Sequence, residues 1–193
     1  VQMGQPAFRK GGHILIFAII LYNKNKLKNK INFETKLVGA GSKGLFKKDY
    51  FSFFIKTLLL KNTCYFYKLL IDFFKLNHEV KLTDYLMDVK PLLEDSDIYI
   101  RTSLSGDGWG RDIIEAMSSG LLCISSGKSP FIEDGISGFL YDSNNPNALK
   151  ELLIKISKMP KSQLQVIAKS GQEKIQKMCS FETFNRSMND CFF

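Results

Sequence analysis

Cysteine is scarce in this chain and poorly placed for pairing. The 193 residues hold four, Cys64, Cys123, Cys179 and Cys191, with no C-x-x-C pair among them. That pattern argues against a zinc site and against a disulfide framework, and free thiols of a reducing compartment are the expectation. Histidine is scarcer still, with His13 and His78 alone, and both read as structural. No apolar run is long enough to cross a membrane. The longest stretch free of Asp, Glu, Lys and Arg runs from Gly11 to Asn23, well short of the ~20 residues a spanning helix needs. No secretory signal is seen, although a fragment could have lost one. The chain begins at Val1, and "VQMGQPAFRKGG" reads like the interior of a domain, so a fragment without its upstream part is expected. Acids are outnumbered, 19 Asp and Glu against 27 Lys and Arg, for a formal charge of +8. The excess favours anionic partners, although solvated lysines explain "NKNKLKNK" equally well. No module signature supports nucleic-acid binding.

The composition that remains is globular, 45% hydrophobic and 24% charged, enough for one domain with a real core. "GHILIFAIILY" fits a buried helix or a strand, and periodicity does not separate the two. Strands are expected at Phe33 to Val38, in "HEVKLTDYL", in "DIYIRTS", in "LLCISS" and after the turn in "DGISGFLYD". Helices are expected in "MDVKPLLEDS", in the segment from Gly110, in "NPNALKELLIKISKM" with Asn145 as N-cap and Pro146 at the first position, and over 162–178. Ser180 reads as a further cap, within a terminal helical region covering 162–193. This alternation predicts a Rossmann-like parallel sheet flanked by helices, an α/β fold in one domain spanning 1–193.

Residues 44–75 break the rhythm with ten Phe and Tyr among many lysines. A helical insertion covering the sheet and an interfacial face for an anionic membrane are both open there.

The chemistry concentrates in "SGDGWGRDIIEAMSSG", Ser105 to Gly120. In α/β sheets ligands bind beyond the carboxyl ends of strands, and this glycine-rich loop follows such a strand. Its glycines admit close backbone approach, and the helix from Gly110 aims its positive end at anything bound there. Glu115, more than one turn inside, suits a pair of sugar hydroxyls, and Asp107 in the turn suits a second sugar. One acid for each of two polyols, with a phosphate binder between, describes a nucleotide-sugar site. A dinucleotide oxidoreductase is disfavoured, because "GAGSKG" only partly matches G-x-G-x-x-G.

These residues resemble a family. Asp107, Trp109-Gly110, Glu115-Ala116-Met117 and Gly120 are followed by Glu133-Asp134-Gly135 and Gly138-Phe139-Leu140. The ordered set resembles the C-terminal domain of retaining GT-B glycosyltransferases, of the group 1, family four kind. "FRKGG" resembles that family's lysine-glycine turn, and "LVGAGS" its second strand and glycine loop. The resemblance implies that Glu115 holds the nucleotide ribose and Asp107 the donor hexose. It also implies that Trp109, Gly110 and Arg111 meet sugar and diphosphate through their backbone, and that Lys10 neutralises the leaving diphosphate. Arg9 and the loop glycines Gly39 and Gly41 join the donor-binding set. Two positions depart from the family. Asp107 stands where a glutamate is usual, and Gln5 where an arginine is frequent. Arg9 compensating, or one cation fewer, are both open.

The implied activity is hexose transfer from a UDP-sugar or GDP-sugar to a glycan or lipid-linked acceptor, without a metal or other cofactor. The implied acceptor domain would precede this chain, which alone would not turn over. The alternative is a non-catalytic nucleotide-sugar or membrane-binding module. A cytoplasmic location is expected, with peripheral contact to the inner face of the membrane left open.

Overall fold

The structure, a computed structural model, describes residues 10–24, 34–38, 63–83, 86–104, 110–180 and 183. Helix α1, Gly12–Lys24, settles the choice its sequence left open. It is buried over most of its surface, with Ile14, Leu15, Ile16, Ala18, Ile19, Ile20 and Tyr22 in the core and His13, Phe17 and Leu21 half-buried along one stripe. A helix without a polar face has no 3.6-residue pattern to read. Strand β1 is Thr35–Val38, helix α2 Thr63–Phe73, strand β2 Val80–Thr83, helix α3 Lys90–Glu94 and strand β3 Ile98–Arg101. Helix α4, Arg111–Ser118, leads to β4, Leu122–Ser126, and β5, Phe139–Tyr141. Helices α5, Pro146–Lys158, and α6, Lys161–Met178, follow.

The strand pairings among the described residues are all parallel. β1 pairs with β2, Thr35 opposite Val80. β3, β4 and β5 pair in that order, with Ile98 opposite Leu122 and Ile124 opposite Phe139. The α/β architecture is therefore as expected, although the described strands form two parallel pieces of two and three strands. Alternation along each strand sorts its side chains to two faces. Ile100, Leu122, Ile124 and Phe139 join the core beneath α1 and α5, whereas Tyr99 and Cys123 join a second core beneath α4. Helices on both faces leave the strand ends as the open surface of the molecule.

Local signals set the ends of the later helices. The Asn145 side chain accepts a hydrogen bond from the Ala148 N–H at 3.0 Å, and Pro146 occupies the first turn as expected. α6 starts at Lys161, one residue before the expected boundary. The Ser180 hydroxyl accepts from the Thr183 N–H at 3.1 Å. In the aromatic segment, Tyr67 and Ile71 of α2 are buried in the core while Lys68 pairs outside with Asp72 at 2.7 Å. Phe66, Leu70 and Phe74 pack against the same core, while Leu69 and Phe73 are exposed. Residues 44–62, like 184–193, lie outside the described residues. Among the described residues no helix is long and apolar enough to cross a membrane.

A cavity of about 860 Å³ opens at the amino ends of β1 and β3, lined by Leu15, Ile19, Thr35, Ile98, Leu122 and Ile156. The Lys36–Asp95 ion pair, 2.9 Å, closes over the same edge. It lies at the end of the strands opposite the glycine-rich loop and has no part in the site described next.

Candidate functional site

Three segments meet beyond the carboxyl ends of β3 and β4: the head of α1, the residues leaving β3 and the head of α4. Thr102 ties the first two together, its hydroxyl donating to the Lys10 carbonyl at 2.8 Å. The contact is close enough to exclude any side chain at the next residue. Gly11 has φ +69°, and a Cβ there would overlap the Thr102 carbonyl oxygen. The Ser126 hydroxyl donates to the Ser103 carbonyl at 2.6 Å, joining the ends of β3 and β4.

Lys10 is half-buried at the head of α1, whose first turn contains no acid. The positive end of the helix dipole and the lysine therefore carry the same sign at one place, which favours an anion there. The second helix head has a different construction. Gly110 is the N-cap of α4 in the left-handed region, φ 53° and ψ 45°, and supplies no side-chain cap. The Ile113 and Ile114 N–H groups both bond to its carbonyl, at 2.9 and 3.3 Å. The N–H groups before them have no intrahelical acceptor and suit an external anion. Arg111 and Glu115 are exposed and four residues apart on α4, so they share one face.

Lys10, Gly110, Arg111 and Glu115 are thus carried by two helices that begin at one end of the sheet. Arg9, Gly39, Gly41, Asp107 and Trp109 lie outside the described residues.

The structure adds three residues that the sequence reading missed. The Tyr99 hydroxyl donates to Asp112 Oδ2 at 2.7 Å, and Arg101 Nε lies 3.4 Å from the same oxygen. Tyr99 is completely buried, and that burial, with the Asp112 charge beside it, holds its hydroxyl well above the ordinary phenol range. The Arg101 guanidinium also backs the helix head, with Nη1 3.2 Å from where a Gly110 Cβ would lie. A signal existed: Tyr99 and Arg101 are two apart on a strand, hence on one face, and Asp112 sits in the first turn of the next helix.

The turn at Glu133-Asp134-Gly135 proves structural. Asp134 Oδ1 accepts from the Leu140 N–H at 2.8 Å, and Glu133 pairs with Lys174 of α6 at 2.7 Å. These bonds fix the start of β5 and brace α6 against it.

Comparison with known proteins places this geometry. Residues 1–173 match the model of the family described as glycosyl transferases group 1. WcaL of Escherichia coli (strain K12), a glycosyltransferase provisionally assigned to colanic acid biosynthesis, is 28% identical over 109 residues. That match covers 52% of this chain and 27% of WcaL. The crystal structure of Anabaena Alr3699/HepE with UDP and glucose superposes with a TM-score of 0.75 at 20% identity, covering 98% of this chain and 46% of that one. The C-terminal domain of LpcC from Francisella tularensis, a glycosyl transferase group 1 family protein, gives a TM-score of 0.69 at 16% identity, covering 91% of this chain and 83% of that domain. The chain spans less than half the length of WcaL and of HepE, and most of a chain that is itself a C-terminal domain.

Proposed function

The chain belongs to the glycosyl transferases group 1 family, and from that premise we propose that it is the donor-binding half of a retaining, family-four hexosyltransferase. The donor is a UDP-sugar or GDP-sugar, and the acceptor is a glycan or a lipid-linked glycan held by a second domain. One observation carries the reading: two helix heads and Lys10 converge beyond the carboxyl ends of β3 and β4. That is where an α/β sheet offers a ligand both close backbone approach and positive potential.

In this reading Glu115 accepts hydrogen bonds from the ribose hydroxyls, and Asp107 from hydroxyls of the hexose. The amides at the head of α4 and the Lys10 ammonium face the diphosphate. When the bond from the anomeric carbon to the diphosphate oxygen breaks, negative charge grows on that oxygen. A preorganised cation and fixed amides stabilise the growing charge more than the ground state, which lowers the barrier. The same groups offset the diphosphate charge without requiring a divalent ion. The UDP held by HepE supports a uridine donor as the first to try.

Calorimetry on the chain with UDP, UMP, GDP and GMP tests the proposal. A diphosphate should bind about tenfold or more tightly than its monophosphate, the gain from charge-assisted bonds to the second phosphate. Equal affinities would remove the phosphate site, and no binding of any of the four would remove the donor reading.

A further inference from the structure

We propose that Tyr99 and Arg101 are positioning residues that hold Asp112 so that the first turn of α4 is fixed and its acid is charge-compensated beneath the donor diphosphate. The proposal rests on the nucleotide-sugar reading above and adds residues to it.

The argument begins with a conflict. An acid in the first turn of a helix stabilises the helix itself, because it meets the positive end of the dipole. Asp112 is such an acid. The same carboxylate also stands beside the amides that face an incoming diphosphate, and a like charge there weakens anion binding. The site keeps the acid and cancels its outward charge. One oxygen, Oδ2, accepts the Tyr99 hydroxyl at 2.7 Å and forms an ion pair, without a hydrogen bond, with the Arg101 Nε at 3.4 Å. The ion pair is largely withdrawn from solvent, with side-chain exposures of 11% for Arg101 and 24% for Asp112, so salt screens it less than a surface pair.

Geometry makes the network a positioning device as well. Tyr99 and Arg101 project from one face of β3, a strand held by β4 in register from Ile98 opposite Leu122 to Arg101 opposite Ser125. Tyr99 packs in the core with Ile113 and Met117 of α4. Its hydroxyl is fully buried and must keep a partner, since an unsatisfied buried hydroxyl is costly. Asp112 therefore has little freedom to turn outward. Behind it, the Arg101 guanidinium occupies the space against Gly110, whose carbonyl closes the first turn. Strand and helix head move as one piece, and Glu115, three residues beyond Asp112, takes its direction from that turn.

Arg101→Met keeps the length of the stem, removes the compensating cation and leaves the Asp112 charge facing the phosphates. Calorimetry with UDP, UMP, GDP and GMP should find the preferred diphosphate weakened about tenfold and the monophosphate changed by less than about threefold. The double variant Arg101→Met/Asp112→Asn should recover most of the loss, because the uncompensated charge is gone. A residue that merely supports the fold predicts the opposite, a double variant at least as poor as the single one. Asp112→Asn alone keeps an acceptor for Tyr99 and needs no large change in folding. It should bind the diphosphate as well as the unaltered chain or better. The positioning role is overturned by equal losses for diphosphate and monophosphate in Arg101→Met, by a double variant worse than the single, or by weakened diphosphate binding in Asp112→Asn. If the unaltered chain binds none of the nucleotides, the donor reading fails and this role falls with it. If it binds and Arg101→Met changes nothing, this role fails alone.

Discussion

Replacing Gly11 by alanine tests whether the head of α1 is held where the site needs it. Two costs are separable. At φ +69° any L-residue is strained, by about 1–2 kcal/mol. The added Cβ would also overlap the Thr102 carbonyl oxygen and come within 2.8 Å of its carbon, and neither backbone atom has a flexible side chain's freedom to retreat. Relief requires moving α1 from the end of β3, which breaks the bond from Thr102 to Lys10, worth about 1 kcal/mol. Repacking of the buried helix adds about 1–3 kcal/mol. The total comes to about 3–6 kcal/mol, or a Tm lower by about 6–24 °C for a chain of this size. Gly135→Ala is the control, because φ is +75° there and nothing lies within 4 Å. It should cost the strain alone. Urea unfolding followed by circular dichroism measures both. If Gly11→Ala falls within about 1 kcal/mol of Gly135→Ala, the close approach is not what fixes Lys10.

Other outcomes follow from the same geometry. Glu115→Ala should weaken free nucleoside diphosphate and nucleotide sugar alike by about 1.5–3 kcal/mol, whereas Asp107→Ala should weaken only the sugar-bearing donor; equal effects of Asp107→Ala on both ligands would refute one acid per sugar. Burial pushes the Cys123 thiol up to about 12 while Cys179 is exposed, so alkylation of the folded chain at pH 8 should modify Cys179 and spare Cys123 until denaturant is added. Peptide mapping reads that difference, and modification of Cys123 in the folded chain would contradict its burial. Burial holds the His13 pKa below 6.5, so the unfolded chain takes up that proton first as pH falls. Stability from this group should be full above about pH 6.5 and decline as the pH falls toward the depressed folded value. His13→Gln should flatten that part of the curve in urea titrations at several pH values, and an unchanged slope would assign it elsewhere.

Sequence and structure agree best where a feature is local. Asn145 followed by Pro146 announces a helix start because cap and first turn are neighbours along the chain, and the Ala148 bond is there. The parallel architecture was legible for a similar reason, since apolar runs alternate with amphipathic ones. α1 was ambiguous because apolar residues on nearly every side erase the periodicity that distinguishes helix from strand. Of the Tyr99–Asp112–Arg101 network, the shared strand face of Tyr99 and Arg101 was legible, but not their meeting with Asp112. That meeting depends on how α4 docks against β3, and no spacing rule relates a strand residue to a helical acid across a glycine-rich loop. The motif at Asp134 carried the family resemblance but no role for its carboxylate, which accepts a hydrogen bond from the backbone at Leu140.

The strand registers also bear on the order in which the chain acquires structure. Ile98 pairs with Leu122, 24 positions on, and Ile124 with Phe139, 15 positions on. Thr35 finds Val80 only after 45. Closing a longer loop carries a larger entropic cost, and contacts distant in sequence form late. The β3–α4–β4–β5 unit should therefore nucleate first, bringing the head of α4 and its Asp112 anchor into place before β1 and β2 meet. Pulse-labelled amide exchange during refolding would show Tyr99 and Ile124 protected ahead of Leu37 and Leu82. On that ordering the helix that carries Glu115 is in place early, and α1, with Lys10 at its head, closes the site last.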